Sequence, residues 1–267
     1  MEIAHIFGYI GALCTGLVLG LMGGGGGLLA IPILVYLFGV EASVATGYSL
    51  FLVALTASSG AFQNIRKKMV DYHAAFYYGL PSVITLYIMR RYVMPAIPKA
   101  LFTVGNYTVQ KNQLILFALA IVMFAAAYKM ITSDNDVITD EPHKANKLKL
   151  ATLAVVIGSF LGLVGAGGGF LVMPSLIYFA NLPPKKAVGT ALVIVSVNSL
   201  IGFIGDLGTH TAFNWSFLLT FSFFSISGVF IGHYLAGFIH NHLLKKYFGW
   251  FILVVGIWIV IKEAFLS

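Results

Sequence analysis

The chain has 267 residues, of which 59% are hydrophobic and 9% are charged, with 16 Lys and Arg against nine Asp and Glu. A soluble domain carries about a quarter charged residues, so this composition excludes a soluble globular protein and predicts a multi-pass membrane protein. In that class basic residues orient the loops, so the net charge of +7 does not indicate a nucleic-acid-binding protein. The single cysteine, Cys14, excludes an intramolecular disulfide and a cysteine-based metal cluster.

Apolar segments follow one another along the whole chain, and eight to ten of them are expected to be membrane segments. They lie near residues 3–21, 28–40, 43–62, 74–94, 112–131, 148–164, 170–182, 187–205, 215–239 and 247–265. We do not expect the first to be a removable signal peptide, because it lacks a basic n-region and more membrane segments follow. The polar stretch between the fifth and sixth segments predicts three parts. They are an N-terminal transmembrane repeat at 1–131, a linker at 132–147 and a C-terminal transmembrane repeat at 148–267.

The two halves of the chain repeat each other. With a shift of 142 residues, Gly20–Gly60 aligns without a gap to Gly162–Gly202, and 15 of the 41 positions are identical. The identical pairs include Gly23/Gly165, Gly25–Gly27/Gly167–Gly169, Pro32/Pro174, Ala45/Ala187 and Gly47/Gly189. Because duplicated halves are the common build of secondary transporters, we expect a site at the interface between the repeats.

The basic loops indicate that the two halves have opposite orientations. The loop after the third segment has three consecutive basic residues from Arg66, and its equivalent at 205–214 has no Lys or Arg. The loop before the third segment carries Glu41, and its equivalent carries Lys185 and Lys186. The basic charge therefore moves to the opposite loop in the second copy, which predicts inverted repeats of five segments each with both termini outside.

One stretch disagrees with this orientation, because its basic residues would face outward. These residues are Arg90, Arg91, Lys99 and Lys111, and they lie in an unusual region at 90–113 whose role the sequence does not reveal. Eight full spans with two re-entrant hairpins are the alternative arrangement.

Each half contains a glycine run between apolar stretches, "MGGGGGLLAIP" at Met22–Pro32 and "VGAGGGFLVMP" at Val164–Pro174. As a helix, the short segment after each run would be about 20 Å long, against a hydrocarbon core of about 30 Å. The glycine-rich ends should therefore lie below the membrane surface, where irregular backbone is tolerated only beside protein or water. There glycine permits dihedrals that are forbidden to other residues, and it leaves backbone N–H groups uncovered.

A helix N-terminus carries unpaired N–H donors and a partial positive charge, so it can bind an anion without a buried Lys or Arg. We predict that the helices starting near Leu28 and Phe170 face a central cavity that admits a small anion. The glycines assigned to this site are Gly24, Gly25, Gly26, Gly27, Gly167, Gly168 and Gly169. The alternative is that small residues let helices pack closely. Close packing is the preferred role for four glycines spaced by four in the preceding segments, Gly16, Gly20, Gly158 and Gly162.

Polar side chains in the following segments could complete the site. Those assigned to substrate binding are Tyr48, Ser49, Thr190 and Asn198. Helical spacing places Ser49 with Thr56, and Thr190 with Asn198, on common faces. Their donors suit an oxyanion, and interhelical hydrogen bonding is the alternative role.

Other residue patterns narrow the class of mechanism. No apolar segment has an obvious central Asp or Glu, which argues against coupling through an intramembrane carboxylate. Thr46 and Gly47 are expected to fix close packing. The sequence contains neither HExxH nor G-x-S-x-G, so we expect no enzyme activity, and nothing indicates a metal or another cofactor.

The pattern G-x-x-G-x-G-G-G-x-L-x-x-P occurs in both halves and is followed each time by A-x-G-[TY]-[SA]-L. The copies are Gly20–Pro32 with Ala45–Leu50, and Gly162–Pro174 with Ala187–Leu192. With the closing stretch 232–262, this doubled pattern resembles the sulfite exporter TauE/SafE family over nearly the whole chain. At Asn64–Tyr72 the sequence keeps Asn64, Val70 and Asp71 of a further family pattern but lacks its histidine. The resemblance implies a permease of the cell (inner) membrane for small sulfur-containing anions such as sulfite or organosulfonates.

The expected fold is an all-α polytopic membrane protein, and the expected function is a secondary transporter, an exporter, that works by alternating access. An anion channel or uniporter of the same architecture, or a permease for another small organic anion, is the alternative. The expected partners are a small anionic substrate and the lipid bilayer, without nucleic acid, and a homodimer is left open.

Overall fold

The computed structural model describes residues 2–22, 26–98, 100–104, 107–132, 147–165, 167–207, 213–235 and 241–265. Every apolar segment forms a helix. The first half contains α1 (Glu2–Met22), α2 (Gly26–Tyr36), α3 (Ala42–Arg66), α4 (Tyr72–Ile88), the short α5 (Met94–Ala96) and α6 (Lys111–Thr132). The second half contains α7 (Lys147–Val164), α8 (Gly169–Phe179), α9 (Pro184–Leu207), α10 (Trp215–Leu235) and α11 (Asn241–Phe265).

The unusual region of the first half departs from the expected all-helical fold. A π-helical turn, Met89–Val93, joins α4 to α5. Strands β1 (Ala100–Val104) and β2 (Tyr107–Gln110) then form an antiparallel hairpin before α6. The Thr, Val, Phe and Tyr residues of this short segment favour extended backbone over helix. The hairpin is an addition to a fold that is otherwise helical, as expected.

Four of the described helices are long and apolar enough to cross a membrane by length and composition. They are Ala42–Arg66, Lys111–Tyr128, Lys185–Leu207 and Trp215–Gly232. Shorter apolar helical stretches lie at Phe7–Leu21, Gly27–Tyr36 and Leu148–Val164. The architecture is therefore that of a multi-pass membrane protein.

Helices α3 and α9, which occupy equivalent places in the two halves, pack along each other at the centre. Near the start of α3, a Cβ on Gly47 would lie 2.9 Å from Oδ2 of Asp206, which is near the end of α9. Towards the other end of α3, a Cβ on Gly60 would lie 3.1 Å from Leu192. The order of these contacts shows that the two helices run antiparallel.

Two buried apolar clusters lie on either side of this central pair. One is built mainly from α1, α2, α6, α10 and α11 with the first part of α3. The other is built from α4, α7, α8 and α9 with the second part of α3. Each cluster takes helices from both halves of the sequence, so the halves interlock rather than pack as two separate bodies. The predicted division at 132–147 stays a prediction, because residues 133–146 lie outside those described.

Glycines allow α1 to pack against α10, and α7 against α4, at the same position of the repeat. A Cβ on Gly16 would overlap the carbonyl oxygen of Ser225, and one on Gly158 would lie 2.7 Å from the carbonyl oxygen of Ser82. The other two glycines of this set, Gly20 and Gly162, also lie at close contacts, with Gly232 and Met89. The packing role predicted for all four glycines is confirmed.

The replacement Gly16→Ala is expected to destabilise the protein, because its Cβ would meet backbone atoms of α10 that cannot move aside. Overpacking of this kind costs about 1–3 kcal/mol. Gly79→Ala in α4 is the matched control, since its Cβ would meet only Ile194 at an ordinary 3.5 Å. This control should keep or raise stability by up to about 1 kcal/mol through helix propensity. Thermal unfolding in detergent measures both, and equal melting temperatures would contradict the packing role.

Candidate functional site

The chain turns from α7 into α8 through glycines with left-handed backbone. Gly165, Gly167 and Gly168 have φ angles of +68°, +69° and +71°. This region costs other residues about 1–2 kcal/mol. Gly168 is the N-cap of α8, and its carbonyl oxygen accepts hydrogen bonds from the amides of Leu171 and Val172, both at 3.0 Å. The predicted use of glycine for otherwise forbidden dihedrals is confirmed for this run.

Both short helices begin within two residues of their predicted starts. Helix α2 begins at Gly26 and α8 at Gly169, and each has 11 residues. Such a helix is about 16 Å long, well short of a hydrocarbon core of about 30 Å. Gly24 and Gly25 lie outside the described residues, so the geometry of the site is built from the second run.

The second glycine run keeps its backbone donors uncovered by other backbone groups. The first amides of a helix have no partner within that helix. Among the described residues, no carbonyl accepts a backbone hydrogen bond from the amides of Gly167, Gly168 or Gly169 outside the helix ladders. The start of α8 therefore offers donors to whatever occupies the space beside it.

Side chains of neighbouring helices occupy that space in this conformation. A Cβ on Gly165 would overlap Thr46, and one on Gly167 would overlap Val53, both in α3. A Cβ on Gly168 would overlap Leu161 of α7. The start of α8 is thus closed in by protein instead of lining the open central cavity that the sequence predicted.

A pocket of about 230 Å³ lies away from the glycine run, between α4 and α9. Its lining is apolar and includes Phe76, Leu80 and Val193. Because it offers no polar group of the kind that binds an anion, we do not assign the substrate to it.

Tyr48 and Thr190 occupy equivalent positions and make equivalent contacts. The hydroxyl oxygen of Thr190 accepts a hydrogen bond from the amide of Asp71, the N-cap of α4, at 2.9 Å. The hydroxyl oxygen of Tyr48 accepts one from the amide of Asn214, directly before α10, at 2.8 Å. Each of these hydroxyl oxygens thus holds the start of a helix from the other half of the chain. This is the role of interhelical hydrogen bonding, which the sequence left as the alternative to substrate binding.

Ser49 and Asn198 are both fully buried but have different neighbours. Oγ of Ser49 donates to the carbonyl oxygen of Gly27 at 3.2 Å, so the structure does bring Ser49 to the first glycine run. Nδ2 of Asn198 donates to Oγ of Ser82 in α4 at 2.6 Å. Asn198 lies about 12 Å from Thr190 along α9, so the polar residues do not form one compact set.

A buried charged cluster, which no sequence pattern indicated, lies beside the second glycine run. Arg90, in the π-helical turn, is 1% exposed, and its Nη2 lies 2.8 Å from Oδ2 of Asp206. Its Nη1 and Nη2 also donate to Oγ1 of Thr46, at 3.0 and 3.1 Å. Thr46 in turn contacts Gly165, so this one side chain links the charges to the run.

These charges were missed because Arg90 lies near the end of the predicted segment 74–94 and was expected to face outward, and Asp206 lies in the predicted loop 205–214. The π-helical turn extends the helical backbone past α4 and brings Arg90 back into the protein. The residue that could have indicated the cluster is Gly47. The carboxylate of Asp206 lies so close to it that a larger side chain would not fit. A second buried carboxylate, Glu263, lies near the end of α11 rather than at its centre, is 7% exposed and accepts a hydrogen bond from Tyr36.

The guanidinium of Arg90 and the start of α8 attract negative charge for the same electrostatic reason. A guanidinium and the N-terminus of a helix both present N–H donors and positive charge, and buried charges interact strongly because the surroundings have a low dielectric constant. Within the described residues, no group of three or more His, Cys, Asp or Glu side chains is placed to hold a metal.

Gly168→Ala is expected to destabilise the protein by more than the cost of its dihedral alone, because the new methyl would overlap Leu161. Gly39→Ala is the matched control. Gly39 also has a positive φ, +67°, but no atom lies within 4 Å of its added Cβ. The control should lose about 1–2 kcal/mol, and thermal unfolding should show a larger loss for Gly168→Ala. Equal losses would show that the run is not closely packed.

Comparisons with known proteins agree over most of the chain. The family model described as "Sulfite exporter TauE/SafE" matches residues 9–259. A probable membrane transporter protein of Xylella fastidiosa (strain Temecula1) is 28% identical over 252 residues, which cover 92% of this chain and 91% of that protein. The probable membrane transporter protein YunE of Bacillus subtilis is 26% identical over 254 residues, with 88% of each chain covered.

A relative from an archaeon extends the same similarity. The probable membrane transporter protein MJ0441 of Methanocaldococcus jannaschii is 29% identical over 209 residues, which cover 74% of this chain and 72% of that protein. No solved structure matches the chain. Together with the helical architecture, the match over residues 9–259 shows that this chain belongs to the TauE/SafE sulfite exporter family of membrane transporters.

Proposed function

We propose that the protein is a secondary transporter that exports small sulfur-containing anions, such as sulfite or organosulfonates, across the inner membrane. The description of the family supports this class of substrate. Sulfite and sulfonates carry their negative charge on oxygen atoms, so the protein needs several N–H or O–H donors in a site without bulk water.

The start of α8 is the observation that carries the proposal. Gly167 and Gly168 adopt left-handed backbone directly before the helix, and no side chain projects from them. A helix start of this kind holds an anion through backbone donors, as in other anion-binding helix termini. The neighbouring Arg90, paired with Asp206, adds guanidinium donors without lying at the membrane surface, since it is 1% exposed.

The closed surroundings of the run correspond to one state of an alternating-access cycle. Val53 and Leu161 now lie so close to Gly167 and Gly168 that a Cβ added to either glycine would overlap them. Binding therefore requires α3 and α7 to move away from the start of α8. Movement of one group of helices against another around a central site is the usual mechanism of transporters built from repeats.

We infer further that the halves are inverted repeats. Their equivalent helices, α3 and α9, run antiparallel. Gly47 lies against Asp206, and Gly189 lies against Asn64, since a Cβ on Gly189 would lie 3.1 Å from the Cβ of Asn64. The shift of 142 residues exchanges these two pairs. A two-fold axis that relates two antiparallel membrane helices lies in the membrane plane, and it gives the two halves opposite orientations.

Burial of Arg90 supports the same orientation. It is paired with Asp206 inside the protein, so it does not count as a basic loop residue. Lys111 likewise donates to the carbonyl oxygen of Met94. Two of the four residues that disagreed with the positive-inside rule thus have partners within the fold, and the basic loops that remain favour termini on the outside.

Export of an anion needs no coupled ion in principle. A membrane potential of 100 mV, negative inside, favours exit by about 2.3 kcal/mol per charge. An anion channel with the same architecture would use the same driving force. The direction of anion movement therefore does not distinguish a transporter from a channel, whereas the kinetics of transport do.

Purified protein in proteoliposomes is expected to show saturable uptake of labelled sulfite and counterflow against an internal pool, because alternating access exposes one site to each side in turn. Organosulfonates should compete. Counterflow without unitary currents supports the transporter, and unitary currents without counterflow would favour the channel. The anion assignment is wrong if sulfite, sulfoacetate, sulfate, thiosulfate and carboxylates all fail while cations are transported.

Single cysteines in a Cys14→Ala background test the inverted arrangement. Glu41→Cys should react with a membrane-impermeant maleimide from outside, whereas Lys185→Cys and the control Lys67→Cys should react only after permeabilisation. All three positions are exposed in the structure, so accessibility depends on the side of the membrane. Labelling of Glu41→Cys and Lys185→Cys from the same side would show parallel halves.

A further inference from the structure

We propose that Arg90 is a binding group for the transported oxyanion and that Asp206 is the resident counter-ion which the anion displaces. The inference rests on the proposed function, because it assumes that the cargo is an oxyanion. It assigns the charged cluster a part in transport beyond holding the helices together.

One side chain, that of Thr46, separates Arg90 from the second glycine run. Its guanidinium donates to Thr46, and a Cβ on Gly165 would overlap the same Thr46. Thr46 thus contacts both the guanidinium and the chain segment that leads into α8.

The guanidinium keeps a donor that the described contacts do not use. Arginine has five N–H donors in one plane. Thr46 and Asp206 engage Nη1 and Nη2, whereas Nε is buried and has no hydrogen-bond partner among the described residues. A buried donor without an acceptor raises the free energy of the folded state. A sulfite or sulfonate group, with three oxygens, could contact Nε together with an Nη atom.

The carboxylate of the cluster has no equivalent in the other half of the repeat. Met89 packs on Gly162 as Gly232 packs on Gly20, so His233 stands at the position of Arg90, and the shift of 142 residues places Asn64 at the position of Asp206. The side-chain amide of Asn64 donates through Nδ2 to the carbonyl oxygen of Gly60 in its own helix, at 2.9 Å. The ion pair thus forms at one end of the α3–α9 pair, and Asn64 cannot form it at the corresponding end, so it is not a device that the repeat needs twice to hold its helices.

The position of Arg90 in the membrane part of the chain also favours a functional role. Ionisable side chains inside a membrane protein are costly and usually line substrate paths or pair with one another. A π-helical turn inside a helix is often associated with a functional site. Here the turn directs Arg90 into contact with both α3 and α9.

The test measures anion binding by the full chain in detergent, from the rise in melting temperature with sulfite or ethanesulfonate concentration. Arg90→Gln should weaken apparent affinity about tenfold or more, the size expected for loss of a charged hydrogen bond. The neighbouring Arg91→Gln removes the same charge from the same turn and should stay within about twofold of the unchanged protein. Asp206→Asn should bind about tenfold more tightly, because the competing carboxylate is gone.

The double variant Arg90→Met/Asp206→Leu controls for misfolding of the single variants, because removing both partners leaves no unpaired buried charge. It should bind as weakly as Arg90→Gln, and binding like the unchanged protein would overturn the proposal. Weaker binding by Asp206→Asn would overturn the counter-ion role.

If the unchanged protein transports sulfite and Arg90→Gln binds it equally well, the inference fails and the proposed function stands. If the unchanged protein neither binds nor transports any anion of the panel, the proposed function fails first.

Discussion

The antiparallel contact between α3 and α9 is the interaction on which the rest of the structure depends. Glycines at equivalent positions, Gly47 and Gly189, let each helix approach the end of the other. The two apolar clusters lie on either side of this contact, and each combines helices from both halves. The glycine run before α8 packs on α3 as well, so any change in the spacing of the central pair alters the space beside the candidate site.

The second constraint is that polar groups removed from water need partners or a function. The amides of Gly167, Gly168 and Gly169 have no backbone acceptor outside the helix ladders among the described residues, so they remain available for a function. Arg90 satisfies the constraint through Thr46 and Asp206. Both places lie near the same end of the central pair, and both present N–H donors inside the protein. This shared location connects the packing of the repeat to the proposed anion site.

Part of the site could be predicted from the sequence because local backbone requirements dictate it. A run of glycines before a short apolar segment implied a turn and a helix start, and α8 begins at Gly169. The partners of Tyr48 and Thr190 could not be predicted, since they come from distant residues, Asn214 and Asp71. Arg90 was expected to face outward, because hydropathy does not reveal the π-helical turn that directs its side chain into the protein.

The sequence by itself determined the membrane class, the helical segments, the duplication and the glycine-dependent turn. Each of these follows from composition, hydropathy or the conformational freedom of single residues, which act over short distances along the chain. Only the tertiary structure decided that the halves interlock, that Arg90 pairs with Asp206, and that side chains of α3 and α7 close over the start of α8. These features depend on which helices lie side by side, and residues far apart in the chain reveal that only when packing brings them into contact.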